Sequence, residues 1–220
     1  MSELDFDALY RDELSERFPG VPWDLGEPQP AVVELEAAGR FAGTVLDVGC
    51  GLGENTLFLA SRGHRVTGVD ASPAALEQAR ETARKRDLEA EFAVADATVL
   101  DGYDDRFDSV LDCALYHCLD DEDRPRYAAA LHRVTRPGAR LTLLSFADTT
   151  LDGLPAPLPV SAANLRDTLE PAGWRITDLR AGALSSVASA MPDYVAQHGV
   201  EPSRTRIPLP AWIAEADRRG

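Results

Sequence analysis

Lysine is nearly absent from this sequence of 220 residues: Lys85 is the only one, and the other 21 basic residues are arginines. The 37 acidic residues outnumber all 22 basic ones, so the formal net charge is −15. A surface with this excess of negative charge repels the phosphates of DNA and RNA, and we therefore expect no nucleic-acid partner. Composition alone leaves open both a solvated acidic surface and an adaptation to high salt.

Long apolar runs, a secretion signal and an even number of cysteines are also lacking. No apolar stretch approaches 18 residues, which argues against a membrane-spanning helix. The first residues (MSELDFD) have neither the positive nor the apolar region of a signal peptide, and three cysteines cannot all pair within one chain. We therefore expect a cytoplasmic protein with reduced thiols and no membrane partner, present as a monomer or a homodimer.

The stretch from residue 45 to residue 55 (VLDVGCGLGEN) combines the pattern of a buried strand with a glycine-rich turn. Its apolar run ends in three glycines at alternate positions, Gly49, Gly51 and Gly53, and a helical pattern follows. Glycines allow the backbone to approach a ligand closely, and the free N–H groups of the next helix point toward it. The stretch therefore predicts a nucleotide-type cradle, with a plain strand-to-helix connection as the alternative.

A second strand pattern, residues 65–69, ends at Asp70, which lies 17 residues after Gly53. A βαβ unit places at this point the carboxylate that binds a pair of ribose hydroxyls. The glycine spacing is G-x-G-x-G, whereas dinucleotide-binding folds use G-x-G-x-x-G. In addition, Asp47 precedes the first glycine by two positions. A carboxylate there repels phosphate but suits a ligand with an ammonium group, which disfavours a nicotinamide-dependent oxidoreductase.

The pattern Asp-x-Gly-x-Gly-x-Gly at residues 47–53 resembles motif I of the class I methyltransferases that use S-adenosylmethionine. The segment Pro-Trp-Asp-x-Gly at residues 22–26 is similar to the N-terminal part of thiol, halide and thiopurine methyltransferase-like proteins. Residues 4–180 as a whole resemble bacterial methyltransferases that act on heterocyclic toxins of the hydroxyquinolone type. The resemblance implies a Rossmann-like fold, S-adenosylmethionine as the cofactor and a small-molecule methyl acceptor.

The order of strand and helix patterns predicts the α/β class, with a doubly wound, mostly parallel sheet of seven strands and an N-terminal helical lid. We expect strands at residues 44–48, 65–69, 90–95, 107–113, 140–146, 173–179 and 207–216. Loops with one short helix are expected over residues 182–206. Pro208 and Pro210 restrict the last strand to an edge of the sheet or fall among its opening residues.

We expect one methyltransferase domain over residues 1–220. Its parts are a lid segment (1–40), a cofactor-binding core (41–146), and a substrate-side flap with the closing strands (147–220). In the lid, residues 3–17 are spaced like an amphipathic helix. This helix either packs as a cover on the core or closes over the cofactor.

The resemblance also implies which residues hold the cofactor. The glycines would pack along its methionyl part, Asp70 would bind the ribose hydroxyls, and Trp23 would lie against it. Asp96 would accept a hydrogen bond from the adenine amino group, although it could instead cap the turn that follows. The full set of expected cofactor-binding residues is Trp23, Asp47, Gly49, Gly51, Gly53, Asn55, Asp70, Ala71, Asp96, Ala97 and Cys113.

The loop at residues 114–119 (ALYHCL) follows the fourth strand, at the edge where open parallel sheets bind ligands. We expect it to touch the acceptor, with His117, Tyr116 and the lid residue Tyr10 as candidate catalytic residues. His117 either faces the substrate, where it could act as a base, or is a hydrogen-bonded structural histidine.

A metal site built from Cys113, His117 and Cys118 is not expected, because such sites usually need four ligands. Methyl transfer from a sulfonium is an in-line displacement, in which the protein aligns the reacting atoms and excludes water. A base is needed only if the acceptor arrives protonated. The sequence therefore predicts a methyltransferase that acts on O, S or N of a small molecule. A nicotinamide-dependent oxidoreductase and a catalytically silent cofactor-binding protein are the alternatives.

Overall fold

The computed structural model of the chain describes residues 5–16, 19–148, 160–200 and 205–219. The described strands are β1 Thr44–Val48, β2 Arg65–Asp70, β3 Glu91–Val94, β4 Phe107–Cys113, β5 Thr135–Phe146, β6 Trp174–Val187 and β7 Arg206–Arg218. They form one seven-stranded sheet in the order β3-β2-β1-β4-β5-β7-β6. Strands β1 to β5 pair in parallel, and β7 runs antiparallel between β5 and β6. The predicted Rossmann-like, mostly parallel sheet is confirmed.

The described α-helices connect these strands. They are α1 Phe6–Tyr10, α2 Pro30–Ala37, α3 Glu54–Ser61, α4 Pro73–Arg86, α5 Asp123–Val134, α6 Ala162–Leu169 and α7 Pro192–Gln197. The start of α4 shows how the sequence sets a helix boundary. Pro73 occupies its first position, and the Ser72 hydroxyl accepts a hydrogen bond from the Ala75 N–H at 3.0 Å.

The strand order reverses between β1 and β4, which are neighbours in the sheet. From β1 the chain moves outward through β2 to β3, and it then returns to β4 and moves outward to β5. Right-handed crossovers in the two directions place helices on both faces of the sheet. The carboxyl ends of β1 and β4 therefore meet at a topological switch point, where open α/β sheets bind ligands.

Both faces of the sheet are covered by apolar packing. Along β1, Leu46 and Val48 belong to one buried cluster, with Leu131 of α5, whereas Val45 belongs to another, with Val32 of α2. This arrangement explains why the strand patterns are unbroken apolar runs, since both sets of alternating side chains are buried. None of the helices in the described part of the chain is long and apolar enough to cross a membrane.

Two elements differ from the sequence-based expectation. The helix expected at residues 3–17 is the single turn α1, which ends because Asp12 adopts a left-handed φ of 62°. The loops expected over 182–206 are wrong for the first part of that range, because β6 continues to Val187 and pairs with β7 along its length. The one short helix expected in that range is α7.

The prolines of the last strand lie where the sheet tolerates them. Pro208 and Pro210 are opening residues of β7, in the part that pairs with β6, and pairing with β5 begins at Ala211. This agrees with the expectation that they fall at an edge or among opening residues. Most of the expected substrate-side flap, residues 149–159, lies outside the described residues. The single domain and the function of the N-terminal segment as a lid stay predictions.

Candidate cofactor and acceptor site

Three glycines form the turn between β1 and α3. Gly49, Gly51 and Gly53 have φ angles of 71°, 51° and 82°, in the left-handed region that favours glycine. A Cβ on Gly49 would lie 2.8 Å from the Leu115 side chain, and one on Gly51 would lie 2.8 Å from the Tyr10 hydroxyl. The turn is therefore a cradle that a β-carbon would fill, with the close approach that a tightly held cofactor requires.

Asp70 ends β2 beside this cradle. One carboxylate oxygen accepts a hydrogen bond from the Gly51 N–H and the other accepts one from the Ser72 N–H, both at 2.8 Å. Burial raises the pKa of Asp70. The carboxylate thus lies between the glycine turn and the N-terminus of α4, at the position that suits the hydroxyls of a ribose. The expected cofactor contact Ala71 is exposed next to it.

Asp47 lies beneath the cradle rather than on its open side. It is 1% exposed, and its carboxylate accepts a hydrogen bond from the Thr56 hydroxyl at 2.6 Å. Burial raises the pKa of Asp47 to about 7, and the nearby Asp112 and Asp70 act in the same direction. Its side chain is directed into the join between β1 and α3, and the role of Asp47 in binding the cofactor stays a prediction.

Asn55 connects the cradle to the N-terminal segment. Its side-chain oxygen accepts a hydrogen bond from the Gln29 N–H at 2.9 Å, and its side chain also hydrogen-bonds to Cys113, whose pKa is raised by burial. Gln29 in turn exchanges two hydrogen bonds with the backbone of Ser185 in β6, at 2.8 and 2.9 Å. Gln29 was not predicted from the sequence, because its partners are 26 and 156 residues away.

Tyr10 and Trp23 pack on each other above the cradle. The Tyr10 hydroxyl accepts a hydrogen bond from the Trp23 indole N–H at 2.8 Å, and Trp23 also packs on Phe6 with ring centroids 5.7 Å apart. Burial, with the charge of Asp70, raises the pKa of Tyr10, so this hydroxyl stays protonated. Of the two aromatic residues, Tyr10 is the one in contact with the glycine turn. The contact of Trp23 with a cofactor stays a prediction.

Asp7 attaches α1 to α4. Its Oδ1 accepts hydrogen bonds from the Ser72 hydroxyl at 2.6 Å and from the Ala74 N–H at 3.1 Å. The side chain of Gln78 donates a further bond to the carbonyl oxygen of Tyr10 at 2.8 Å. These contacts place Tyr10 over the cradle. The sequence shows the Ser-Pro start of α4, but it does not show that a carboxylate 65 residues earlier completes the cap.

Asp96 follows β3 and caps a turn. Its Oδ1 accepts hydrogen bonds from the N–H of Thr98 at 2.8 Å and from the Thr98 hydroxyl at 2.7 Å, and its side chain is exposed. The geometry thus matches the capping alternative for Asp96. Ala97 is half-buried and packs against the core. The contacts of Asp96 and Ala97 with an adenine stay predictions.

Asp112, which was not predicted, shapes the loop after β4. Its carboxylate is fully buried and accepts hydrogen bonds from the Tyr127 hydroxyl at 2.7 Å and from the Leu115 N–H at 2.9 Å. Burial raises its pKa to about 6. The bond to Leu115 holds that side chain against Gly49. Asp112 lies near the end of a parallel strand, as Asp70 does, and this position was the sequence signal that could have identified it.

Tyr116 and His117 lie inside the fold. Tyr116 is 0% exposed, and its hydroxyl donates a hydrogen bond to the Asn164 side chain at 2.9 Å. The expectation that Tyr116 faces the acceptor is therefore wrong, because its ring is part of the core. His117 is 4% exposed, its Nδ1 accepts a hydrogen bond from the Phe146 N–H at 3.1 Å, and its ring stacks on Phe146 at 4.4 Å.

Burial, with the charge of Arg124, lowers the pKa of His117 to about 3. The imidazole is thus neutral near pH 7, and because Nδ1 is the acceptor, the proton sits on Nε2. Of the two alternatives for His117, the geometry matches the structural histidine. Among the described residues, no group of three or more His, Cys, Asp or Glu could hold a metal ion.

The site as a whole is rich in carboxyl groups and poor in phosphate ligands. Asp47, Asp70 and Asp112 surround the cradle, and they are close enough that the negative charges of Asp70 and Asp112 help to raise the pKa of Asp47. Such a site repels a pyrophosphate and suits a cationic cofactor that carries ribose hydroxyls. The residues present therefore fit S-adenosylmethionine better than a nicotinamide dinucleotide.

Comparisons with known proteins also indicate a methyltransferase. A family model described as "Methyltransferase domain" matches residues 45–138. The chain is 33% identical over 219 residues to the 2-heptyl-1-hydroxyquinolin-4(1H)-one methyltransferase of Mycobacteroides abscessus, covering 97% of this chain and 96% of that protein. It is also 29% identical over 160 residues to Thiocyanate methyltransferase 1 of Brassica oleracea, covering 72% and 70% of the two chains.

A solved structure is similar over nearly the whole length. It was described under "Conversion of a Disulfide Bond into a Thioacetal Group during Echinomycin Biosynthesis", and it matches with a TM-score of 0.82 and 40% sequence identity. The match covers 97% of this chain and 91% of that one. The similarity therefore includes the N-terminal segment and the closing strands as well as the central sheet.

Proposed function

Because this chain belongs to the class I S-adenosylmethionine-dependent methyltransferases, we propose that its acceptor is a small molecule whose reacting atom is an acidic oxygen, a thiol sulfur or a similarly soft nucleophile. The enzyme transfers the methyl group of S-adenosylmethionine to a small molecule. The nicotinamide-dependent alternative is wrong, and the remaining question is which acceptors the site takes.

The state of His117 is the observation that carries this proposal. His117 is the histidine of the loop after β4, but it is buried, neutral and hydrogen-bonded through Nδ1 to Phe146. The neighbouring Tyr10 hydroxyl and the thiols of Cys113 and Cys118 have pKa values raised by burial, so none of them is a ready proton acceptor. Among the described residues, these four side chains thus offer no base to a protonated acceptor, which favours a reacting atom that is already deprotonated or needs no deprotonation.

The roles of the chain's own residues follow from the geometry. When bound, S-adenosylmethionine supplies a methyl group on a positively charged sulfur. The glycine turn and Asp70 would hold the cofactor, while Leu115 and Tyr10, which lie against that turn, would exclude water from it. The loop held by Asp112 would orient the acceptor in line with the methyl group. Alignment of the reacting atoms and exclusion of water would then be the main sources of the rate enhancement.

Two relatives support this class of acceptor. One carries a hydroxyquinolone in its name and the other carries thiocyanate, and both acceptors ionise readily. A hydroxyquinolone-type heterocycle or a thiol is therefore the preferred acceptor here. The net charge of −15 supports a protein that binds neither nucleic acid nor anionic membranes. We further propose a cytoplasmic monomer or homodimer.

The dependence of rate on pH tests the absence of a base. Single-turnover methylation is measured for two arenethiols with different pKa values, using the wild type and His117→Gln. We expect the rate to rise with pH, to level off above the pKa of each thiol, and to shift its midpoint when the thiol is changed. In the variant the midpoints should stay the same. A midpoint near 6.5 that is common to both thiols and lost in His117→Gln would show that His117 is a base.

A further inference from the structure

Arg124 is a buried cation beside the proposed acceptor site. It lies in the first turn of α5 and is 3% exposed, and its guanidinium lies 5.2 Å from the centre of the Tyr116 ring. One nitrogen, Nη1, lies 3.1 Å from the Asp121 carboxylate. The Asp121 side chain is itself 90% exposed, so water screens the charge that it offers.

The other two nitrogens of Arg124 have no hydrogen-bond partner among the residues that the structure describes. Nε and Nη2 are both buried and lack a hydrogen bond within the described part of the chain. These two atoms form one edge of the guanidinium, and their N–H groups point in parallel, which is the arrangement that matches an oxyanion in a bidentate fashion. A buried donor pair without a partner is costly, particularly on a charged group. An anion bound at this edge would remove that cost.

The position of Arg124 connects it to the cradle. Tyr116 packs under its guanidinium, and the preceding residue, Leu115, lies against Gly49. Its charge also reaches His117, which follows Tyr116 in the same loop. This loop thus contacts the glycine turn with one residue and Arg124 with the next. An acceptor bound between them would be close to both the methyl group and the free guanidinium edge.

We propose that Arg124 binds an oxyanion of the methyl acceptor through its Nε and Nη2 groups. This inference rests on the proposed function, because it assigns the residue that recognises the acidic acceptor. The oxyanion has two candidate sources: the ionised oxygen that receives the methyl group, or a carboxylate elsewhere on the acceptor. In both cases Arg124 is an acceptor-binding residue and has no part in holding the cofactor.

Equilibrium binding tests the inference without turnover. Protein saturated with S-adenosylhomocysteine is titrated by calorimetry with a 1-hydroxyquinolin-4-one, with 4-mercaptobenzoate and with 4-mercaptobenzamide, which has the same thiol but no oxyanion. The variants are Arg124→Gln and Arg124→Lys, and the matched control is Arg126→Gln. Arg126 is two residues along the same helix, but it is exposed and pairs with Asp123.

We expect Arg124→Gln to weaken the binding of at least one oxyanion probe about 10- to 100-fold, as is typical of lost charged hydrogen bonds. Binding of 4-mercaptobenzamide and of S-adenosylhomocysteine should change less than about twofold. Arg124→Lys keeps the positive charge but lacks the two parallel N–H groups of the guanidinium, so we expect an intermediate loss of oxyanion affinity. Weakening of the hydroxyquinolone identifies the reacting oxygen as the source. Weakening of the benzoate alone identifies a carboxylate.

Equal losses for the oxyanion probes and for 4-mercaptobenzamide would overturn the inference and show that Arg124 supports the fold. If Arg124→Gln does not melt cooperatively, Arg124→Lys decides: unchanged oxyanion binding in that variant also overturns it. Failure of the proposed function has a different signature. Absence of methyl transfer to any acidic acceptor, with the charge-dependent binding intact, would refute that function and leave the Arg124 site standing.

Discussion

Burial decides what the ionisable residues of this site can do. In water, Asp47 would be charged at pH 7 and His117 would become charged just below that pH. Burial instead lowers the pKa of His117 to about 3 and raises that of Asp47 to about 7. Each has a hydrogen-bond partner that fixes its position, Phe146 for the histidine and Thr56 for the aspartate. Both are therefore positioning residues of the cradle and its neighbouring loop.

We expect Asp70 to have the clearest effect of any single residue on cofactor binding. Asp70→Ala should weaken the binding of S-adenosylmethionine by about 1.5–3 kcal/mol, because a charged acceptor for two ribose hydroxyls is lost. Calorimetry measures the change. The control is Glu77→Ala, which removes an exposed carboxylate from α4. Equal affinities for Asp70→Ala and the wild type would refute the assignment of Asp70 as the ribose ligand.

The sequence indicated the residues of the candidate site well, but it did not indicate the directions of their side chains. Gly49, Gly51 and Gly53 were recognisable because their spacing reports a backbone requirement, and their positive φ angles confirm that requirement. The direction of Asp47 and the burial of Tyr116 depend on tertiary packing, which no local pattern reports. Partners that are far apart in sequence, such as Asp7 and Ser72, become visible only in the folded chain.

At the scale of elements, α1 is fastened to α4 by few contacts. The bonds from Asp7 to Ser72 and Ala74 act as a cap on α4, and Gln78 adds one bond to Tyr10. Such a short element, with Leu9 as its one buried side chain, has little core of its own. We therefore expect that α1 opens without unfolding the sheet, as a cover over the cofactor would need to do.

Removal of the Asp7 cap should loosen α1. We expect Asp7→Ala to destabilise its docking, as is typical for the loss of a capping side chain. Amide hydrogen exchange in α1 should become faster, and S-adenosylhomocysteine should dissociate about fivefold faster, while the global melting transition moves little. Glu13→Ala, an exposed acid outside α1, is the control. If α1 exchanges at the wild-type rate in Asp7→Ala, these contacts do not hold it closed.

The strands of the central sheet were predictable and the last third of the fold was less so. Strands β1, β2 and β4 are short apolar runs buried on both faces, which is a clear signal. The second half of β6 consists mostly of small residues, and it lies at the edge of the sheet, where it pairs with β7 alone. Its extension is set by its pairing partner β7, which follows later in the chain, rather than by its own composition.

At the scale of the whole molecule, strand order and charge together define the function. The order reversal between β1 and β4 creates the site, and acids at the ends of β2 and β4 make it suitable for a cationic cofactor. The surrounding surface is strongly acidic, so an anionic acceptor gains no help from long-range attraction. In the proposed role, the buried Arg124 would supply a local positive charge that the net charge of the molecule does not provide.

The central claim is that this methyltransferase acts on small molecules with an acidic or soft reacting atom. The most direct measurement supplies S-adenosylmethionine with a labelled methyl group to the wild-type protein and identifies the labelled products by mass spectrometry. The acceptors are a 1-hydroxyquinolin-4-one, an arenethiol, an aliphatic alcohol and an oligonucleotide. The account predicts label on the hydroxyquinolone oxygen or the thiol sulfur, with none on the alcohol or the oligonucleotide. Label on the alcohol or the oligonucleotide, with the two acidic acceptors left unmodified, would contradict it.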